Sequence, residues 1–178
     1  MNIWLKELSE NDDKIYFDLL VELAGYKDAY ARPVPEDFSY SEYEYFKKCR
    51  VNMKNGVNLP SYATTTSTYW VMDGEIPIGY ATLKHKVDPS KPGGHFGLCL
   101  KREYQNRGIG TIVSNLLSDI AYNELGIDEI IFTSKDENIQ SQKSVAKIGA
   151  KLIGIHDGYH FYSYSLRKKY ENSSKKKL

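Results

Sequence analysis

The stretch from His95 to Ala121 constrains this chain more than any other. Ile109, Ile112, Val113, Leu116, Leu117, Ile120 and Ala121 recur at i, i+3, i+4, i+7, i+8, i+11 and i+12, the spacing that lays one apolar stripe along an α-helix. Immediately before the stripe, and overlapping its start, stands Gln105-Asn106-Arg107-Gly108-Ile109-Gly110-Thr111, and before that a short apolar run, His95 to Leu100, of strand length. A strand that passes through a glycine-containing loop into a helix brings successive backbone N–H groups to the positive end of the helix dipole, so an anion site is expected here. No Gly-Lys-Ser/Thr follows the loop and no third glycine completes a dinucleotide fingerprint, which excludes two familiar phosphate motifs. The two glycines also fit a plain strand-to-helix turn, and the loop by itself leaves both readings open.

The 178 residues suit one domain, assigned to 1–170, followed at 171–178 by a lysine-rich tail expected to be disordered. Ile3 and Leu5 alternate as in a strand, and Ser9-Glu10-Asn11-Asp12 then supplies helix-start chemistry before a helical run from Ile15 to Leu23. A second helix is expected from about Ser41, where Glu44 completes a capping box, to Asn55-Gly56. Tyr69 to Leu83 reads as a hairpin about Asp73-Gly74-Glu75. Glu129 to Thr133 reads as a buried strand, Asp136-Glu137-Asn138 starts a helix ending at Gly149, and two strands flank the turn at Asp157-Gly158.

With a net charge of +1 the chain has no global field for nucleic acid or an anionic membrane. No apolar run is long enough to span a membrane and the amino terminus has no signal-peptide core, so a cytoplasmic location is expected. Cys49 and Cys99 have neither CxxC pairing nor a histidine at ligand spacing, and no metal site is expected.

Gln105, Gly108 and Gly110 fill the pattern Gln/Arg-x-x-Gly-x-Gly/Ala, and Asn138, Ser141, Lys147, Ile148, Gly149 and Ala150 fill a second pattern that begins Asn-x-x-Ser/Ala. With strand, loop, helix, strand, helix and closing hairpin in this order, the chain from about Thr68 to Leu166 resembles the GCN5-related N-acetyltransferase (GNAT) superfamily, and a poorly characterised bacterial branch of it. The resemblance implies a single-domain α/β (α+β) fold: a mixed, mostly antiparallel central sheet of six to seven strands, the fourth and fifth splayed apart, with helices on its faces. It implies acetyl-CoA as cosubstrate, its pyrophosphate on Gln105, Asn106, Arg107, Gly108, Ile109, Gly110 and Thr111. The pantetheine arm would lie along the exposed edge formed by Leu98, Cys99 and Leu100, with Asn138 and Ser141 contacting the cofactor nearby. The Leu98 N–H matches the family's oxyanion donor, and Asn138 matches a residue near the sulfur; Asn138 also reads as a helix N-cap.

Two positions depart from the family pattern. The tyrosine that protonates the departing thiolate in many relatives is Val145 here, and the glutamate that serves as base through water aligns with Gly94. His95 is the side chain nominated to help deprotonate the acceptor, against the alternative of a histidine that packs and bonds locally; Tyr162, with Tyr159 and Tyr164, is nominated as thiolate acid. Cys99 reads as a structural thiol. These departures leave two expectations: direct acetyl transfer to an amine in a ternary complex, or a noncatalytic acyl-CoA-binding or ligand-sensing protein that kept the cradle. The acceptor, a small-molecule or protein amine, is expected against a wall drawn from Tyr26, Tyr30, Tyr40, Tyr43, Tyr45 and Tyr62, and the protein is expected as monomer or homodimer.

Overall fold

Short apolar runs bounded by turn residues form the strands β1 (Ile3–Glu7), β2 (Thr66–Asp73), β3 (Ile76–Lys84), β4 (Phe96–Leu100), β5 (Glu129–Lys135), β6 (Lys151–His156) and β7 (Tyr159–Ser165). Between and after them lie the helices α1 (Lys14–Ala24), α2 (Tyr40–Asn55), α3 (Ile109–Asn123), α4 (Ile139–Lys147) and α5 (Leu166–Lys175). The computed structural model describes residues 1–26 and 33–175, with the side chains of 172–175 outside that description. Strands β1-β2-β3-β4 form one antiparallel sheet and β5-β7-β6 a second. The mostly antiparallel α/β architecture is the expected one. The splay of β4 from β5 is wide enough, however, that they head separate sheets rather than one continuous sheet.

Both faces of the larger sheet are covered, which is why β2 is buried along nearly its whole length instead of alternating. Tyr69 and Val71 point to one core with Ile78, Ala81, Leu83, and Ile109, Val113, Leu117 and Ala121 of α3. Trp70 and Met72 point to the other, with Leu19, Leu20 and Leu23 of α1 and Tyr43 and Phe46 of α2. Buried Asp12 ties this second core together: it accepts from the Trp70 indole N–H at 2.6 Å and the Ser9 N–H at 2.9 Å and pairs with Lys6, while Lys47 donates to its carbonyl at 2.8 Å. The stripe on α3 is narrower than its spacing suggests, since Ile112 is 40% exposed and Ser118 is buried instead. Ser118 satisfies its hydroxyl on the Ser114 carbonyl at 2.7 Å.

Two element ends differ from expectation. The box that starts α2 is Ser39 with Glu42, not Ser41 with Glu44: Ser39 Oγ accepts from the Glu42 N–H and Glu42 Oε2 from the Ser39 N–H. The chain also continues as helix α5 beyond β7, through residues 171–175 that were assigned to a disordered tail. Packing supports its first turns: Tyr170 stacks on Tyr122 at 4.5 Å and bonds Asp119, and Arg167 pairs with Asp128 at 2.8 Å. Lys176, Lys177 and Leu178 lie outside the described residues. No helix among the described residues is long and apolar enough to cross a membrane.

Candidate active site

The two sheets meet at a seam just before β4. The His95 N–H donates to the Ile131 carbonyl at 2.8 Å, and the Ile131 N–H donates back to His95 Nδ1 at 2.9 Å. Thr133 Oγ1 accepts from the N–H groups of both Gly93 and Gly94, at 2.9 and 3.1 Å, and Phe96 meets Phe132 edge to face. Beyond the seam β4 has, among the described residues, a partner strand on one side only, β3. Hydrogen bonds from the Lys84 N–H to the His95 carbonyl and from the Lys101 N–H to the Ile78 carbonyl fix which residues of β4 face β3. In an antiparallel ladder alternate residues turn their backbone groups to the same side, so Gly97 and Cys99 face β3 while Leu98 and Leu100 face the open edge.

The open edge runs straight into the glycine loop. After a 3-10 turn at Arg102–Tyr104 the backbone takes positive φ at Asn106 (59°) and again at Gly108 (77°), and α3 begins with no side-chain cap and no acidic residue in its first turn. The N–H groups of Asn106, Arg107, Gly108, Ile109 and Gly110 have no hydrogen-bond partner among the described residues. Consecutive unpaired donors at an uncapped helix N-terminus are what a phosphate requires. A Cβ on Gly108 would meet nothing within 4 Å, so its glycine is demanded by φ; one on Gly110 would sit 3.7 Å from Leu98 Cδ2, ordinary contact, so that position tolerates alanine.

The other nominated residues divide into those beside this groove and those used elsewhere. Gln105 turns its amide back to the Leu100 carbonyl at 2.9 Å, closing the loop on the strand instead of offering it to a ligand. Asn106 accepts from Gln140 of α4, which holds the loop beside that helix. Asn138 caps α4 by accepting from the Ser141 N–H at 3.0 Å, so both residues sit at the helix start. Arg107 is exposed with its guanidinium over the Tyr104 ring at 5.9 Å. Ile109 is core, and Thr111 lies on the first turn of α3.

His95, nominated as base, is buried in the seam, and its burial lowers its pKa. With Nδ1 accepting from Ile131, the neutral ring carries its proton on Nε2 and keeps no free lone pair. Gly94 is no substitute for a glutamate either: any Cβ there would run into the Ile131 carbonyl oxygen and approach Phe132 Cα to 2.9 Å. The Cys99 thiol is pushed up to about 11 by burial and is therefore protonated near neutral pH, as a structural thiol would be. Tyr162 is packed in the core with Val145, its hydroxyl 3.4 Å from His160 Nδ1 and its phenol raised by burial.

The tyrosine wall is only partly present. Tyr43 is fully buried and donates to the Asp12 and Asp13 carbonyls, Tyr45 and Tyr62 project into solvent, and Tyr40 is exposed on α2. Tyr26 links α1 to the end of β4, donating to Glu22 at 2.8 Å and accepting from the Arg102 N–H; its phenol is raised to about 12, by burial first. Tyr30 lies outside the described residues. The space against β4 is instead a cavity of about 230 Å³ lined by Pro33, Arg50 of α2, Tyr80 and Thr82 of β3, and Gly97, Leu98 and Cys99. Gly97 keeps this cavity open, since a Cβ would stand 2.5 Å from Thr82 Oγ1. Arg50, Tyr80 and Thr82 had a legible signal: Tyr43, Phe46 and Arg50 share a helix face, and Tyr80 and Thr82 share a strand face. Among the described residues no cluster of His, Cys, Asp or Glu is arranged to hold a metal ion.

A strand edge open among the described residues, leading through a bare donor loop into a helix, is the arrangement that an acyl-CoA of the acetyltransferase kind requires. The acetyltransferase (GNAT) domain family matches residues 2–151, and the chain belongs to that family. No curated protein sequence matches it significantly. Among solved structures it is similar to Campylobacter jejuni N-acetyltransferase PseH in complex with acetyl coenzyme A, at 14% identity and TM-score 0.63, over 92% of this chain and 98% of that one. A mutant spermidine/spermine N-acetyltransferase SpeG from Vibrio cholerae aligns at 16% identity and TM-score 0.64, over 97% and 99% of the two chains. A probable acetyltransferase aligns at 16% and 0.71, over 94% of each. At these identities the likeness speaks to the fold.

Proposed function

We propose that the protein transfers the acetyl group of acetyl-CoA to an amine by direct attack within a ternary complex. The observation that carries this reading is the open edge of β4 continuing into five unpartnered N–H groups at Asn106 to Gly110. The pyrophosphate lies on those donors and the pantetheine amides pair with the backbone groups of Leu98 and Leu100 that face the edge. The Leu98 N–H then polarises the thioester carbonyl and holds the oxyanion, while Asn138 stands near the sulfur. The attacking nitrogen forms its bond to the acetyl carbon, the carbon–sulfur bond breaks, and the nitrogen loses its proton. A PseH-like acetyl-CoA complex and amine acceptors such as spermidine in the SpeG name fit the same reading.

Proton management falls to water. His95 lacks a free lone pair, Gly94 excludes a carboxylate and the Cys99 thiol holds its proton, so the amine loses its proton to solvent before attack. The Tyr162 phenol is packed in the core with Val145, its hydroxyl turned to His160 Nδ1, so the thiolate takes its proton from water rather than from this phenol. Accordingly log kcat/KM is expected to climb with a slope near one from about pH 6 to the pKa of the acceptor, with no plateau from a histidine near ~6.5. Tyr162→Phe is expected to keep kcat within about threefold of wild type. A plateau near pH 6.5, or a loss of about a hundredfold in the phenylalanine variant, would return the proton transfers to side chains.

A further inference from the structure

Resting on the acetyltransferase reading, we infer that the acceptor is a small amine that also bears a carboxylate, an amino acid or close analogue, with its carboxylate held by Arg50 and the Tyr80 hydroxyl.

The cavity over Gly97 to Cys99 is where an acceptor would meet a thioester lying on the β4 edge, and its charge is of one sign. Arg50 is the charged residue of its lining, and no carboxylate is present among the described lining residues. Arg50 sits with its guanidinium over the Phe46 ring at 4.9 Å and a nitrogen 3.5 Å from Met53 Sδ, contacts that place the group without neutralising it. Other cations of this region are paired: Lys54 with Glu7, Lys47 with Glu44 and Lys101 with Glu22. A guanidinium held by an aromatic face, with no carboxylate paired to it among the described residues, is a receptor for an anion, and its planar fork suits a carboxylate.

An independent observation lies beside it. The Tyr80 hydroxyl is buried, the residue being 6% exposed, and has no hydrogen-bond partner among the described residues. The Thr68 hydroxyl nearby is in the same condition, and the two come close without forming an acceptable bond. Buried hydroxyls in native proteins are almost always satisfied, and an unsatisfied one calls for a ligand or an ordered water. Tyr80 lines the same cavity as Arg50, on the strand face it shares with Thr82, and its buried hydroxyl feels the guanidinium's charge. A polyamine would bring further positive charge to Arg50 and find no acid among the lining residues described. The volume, about 230 Å³, lies below the range of drug-sized sites and admits a compact acceptor.

The test uses the intact protein with acetyl-CoA, following release of the CoA thiol. Substrates are the common amino acids, their amides, the corresponding decarboxylated amines, and spermidine. The best amino acid is expected to exceed its own amide in kcat/KM by about a hundredfold or more. Arg50→Met, which keeps the apolar stem against Phe46, is expected to bring that acid-to-amide ratio close to one, and Tyr80→Phe to lower it about tenfold. Preference for amides or for spermidine in the wild type overturns the inference and leaves the acetyltransferase reading standing. Failure of every amine to release thiol, with acetyl-CoA bound as judged by calorimetry, overturns both. The wild-type ratio decides the matter even if a variant folds poorly.

Discussion

Gly108→Val is expected to abolish the stabilisation of this protein by acetyl-CoA while leaving a folded apoprotein. At a ligand concentration near 100 times Kd, mass action adds about 2.7 kcal/mol to the native state, which for a chain of this size is a rise in Tm of roughly 5–10 °C. Gly108 adopts φ 77° at the helix entry, where a β-branched residue costs on the order of 1–3 kcal/mol of strain and tends to pull the loop out of the left-handed region. Its side chain would also enter the open space beside a loop whose N–H groups we propose receive the pyrophosphate. Affinity should fall by about a hundredfold or more, a loss of about 2.7 kcal/mol. The apoprotein should melt roughly 2–12 °C lower from that strain alone, because no protein atom lies within reach of the new Cβ to add a clash. An undiminished thermal shift in the folded variant would remove the phosphate from this loop.

The second large effect concerns the seam. Gly94→Val forces a branched side chain onto the backbone of β5, at Ile131 and Phe132, where no rotamer escapes the contact. Relief requires the sheets to part, breaking the reciprocal His95–Ile131 bonds and the two bonds to Thr133. A loss of more than about 3 kcal/mol in urea denaturation is expected, which for a domain of ordinary stability approaches unfolding. The same seam gives stability a pH dependence of known sign. His95 has a folded pKa lowered by burial, so the unfolded chain binds the extra proton first. The contribution is therefore complete above the unfolded value near ~6.5 and is lost as pH falls through the lower folded value. Wild type should lose denaturation midpoint on acidification through that window; a midpoint independent of pH there would mean that His95 is not held neutral in the seam.

The seam also shows what a one-dimensional reading lacks. Strand, loop and helix from His95 to Ala121 were legible because their signals are local: an apolar run, glycines at a turn, and a helical period. The role of His95 was not, because it depends on Ile131, thirty-six residues away, reaching the ring nitrogen. Likewise Ser39-x-x-Glu42 and Ser41-x-x-Glu44 satisfy the same capping pattern, and only the direction from which the chain enters α2 chooses the first. The tyrosines form only part of a wall for a related reason. Their density before the hairpin says nothing about which face of α2 meets the sheet, and that face presents Tyr43 to the core and Arg50 to the cavity. The tail reads as polar and charged, yet Tyr170 finds Tyr122 on α3 and the helix forms against it.

The central claim is direct transfer of acetyl from acetyl-CoA to an acceptor amine, with no acetyl group resting on the protein. It is tested most directly by supplying acetyl-CoA with a trideuterated acetyl group to the intact protein and an amine-bearing carboxylate, and following acceptor and protein together by mass spectrometry. The label is expected on the acceptor nitrogen in step with release of the CoA thiol, with the protein mass unchanged at every time, including when protein and acetyl-CoA are mixed without acceptor. A labelled protein carrying the acetyl group on Cys99 before the acceptor is added, and discharging it afterwards, would contradict the account.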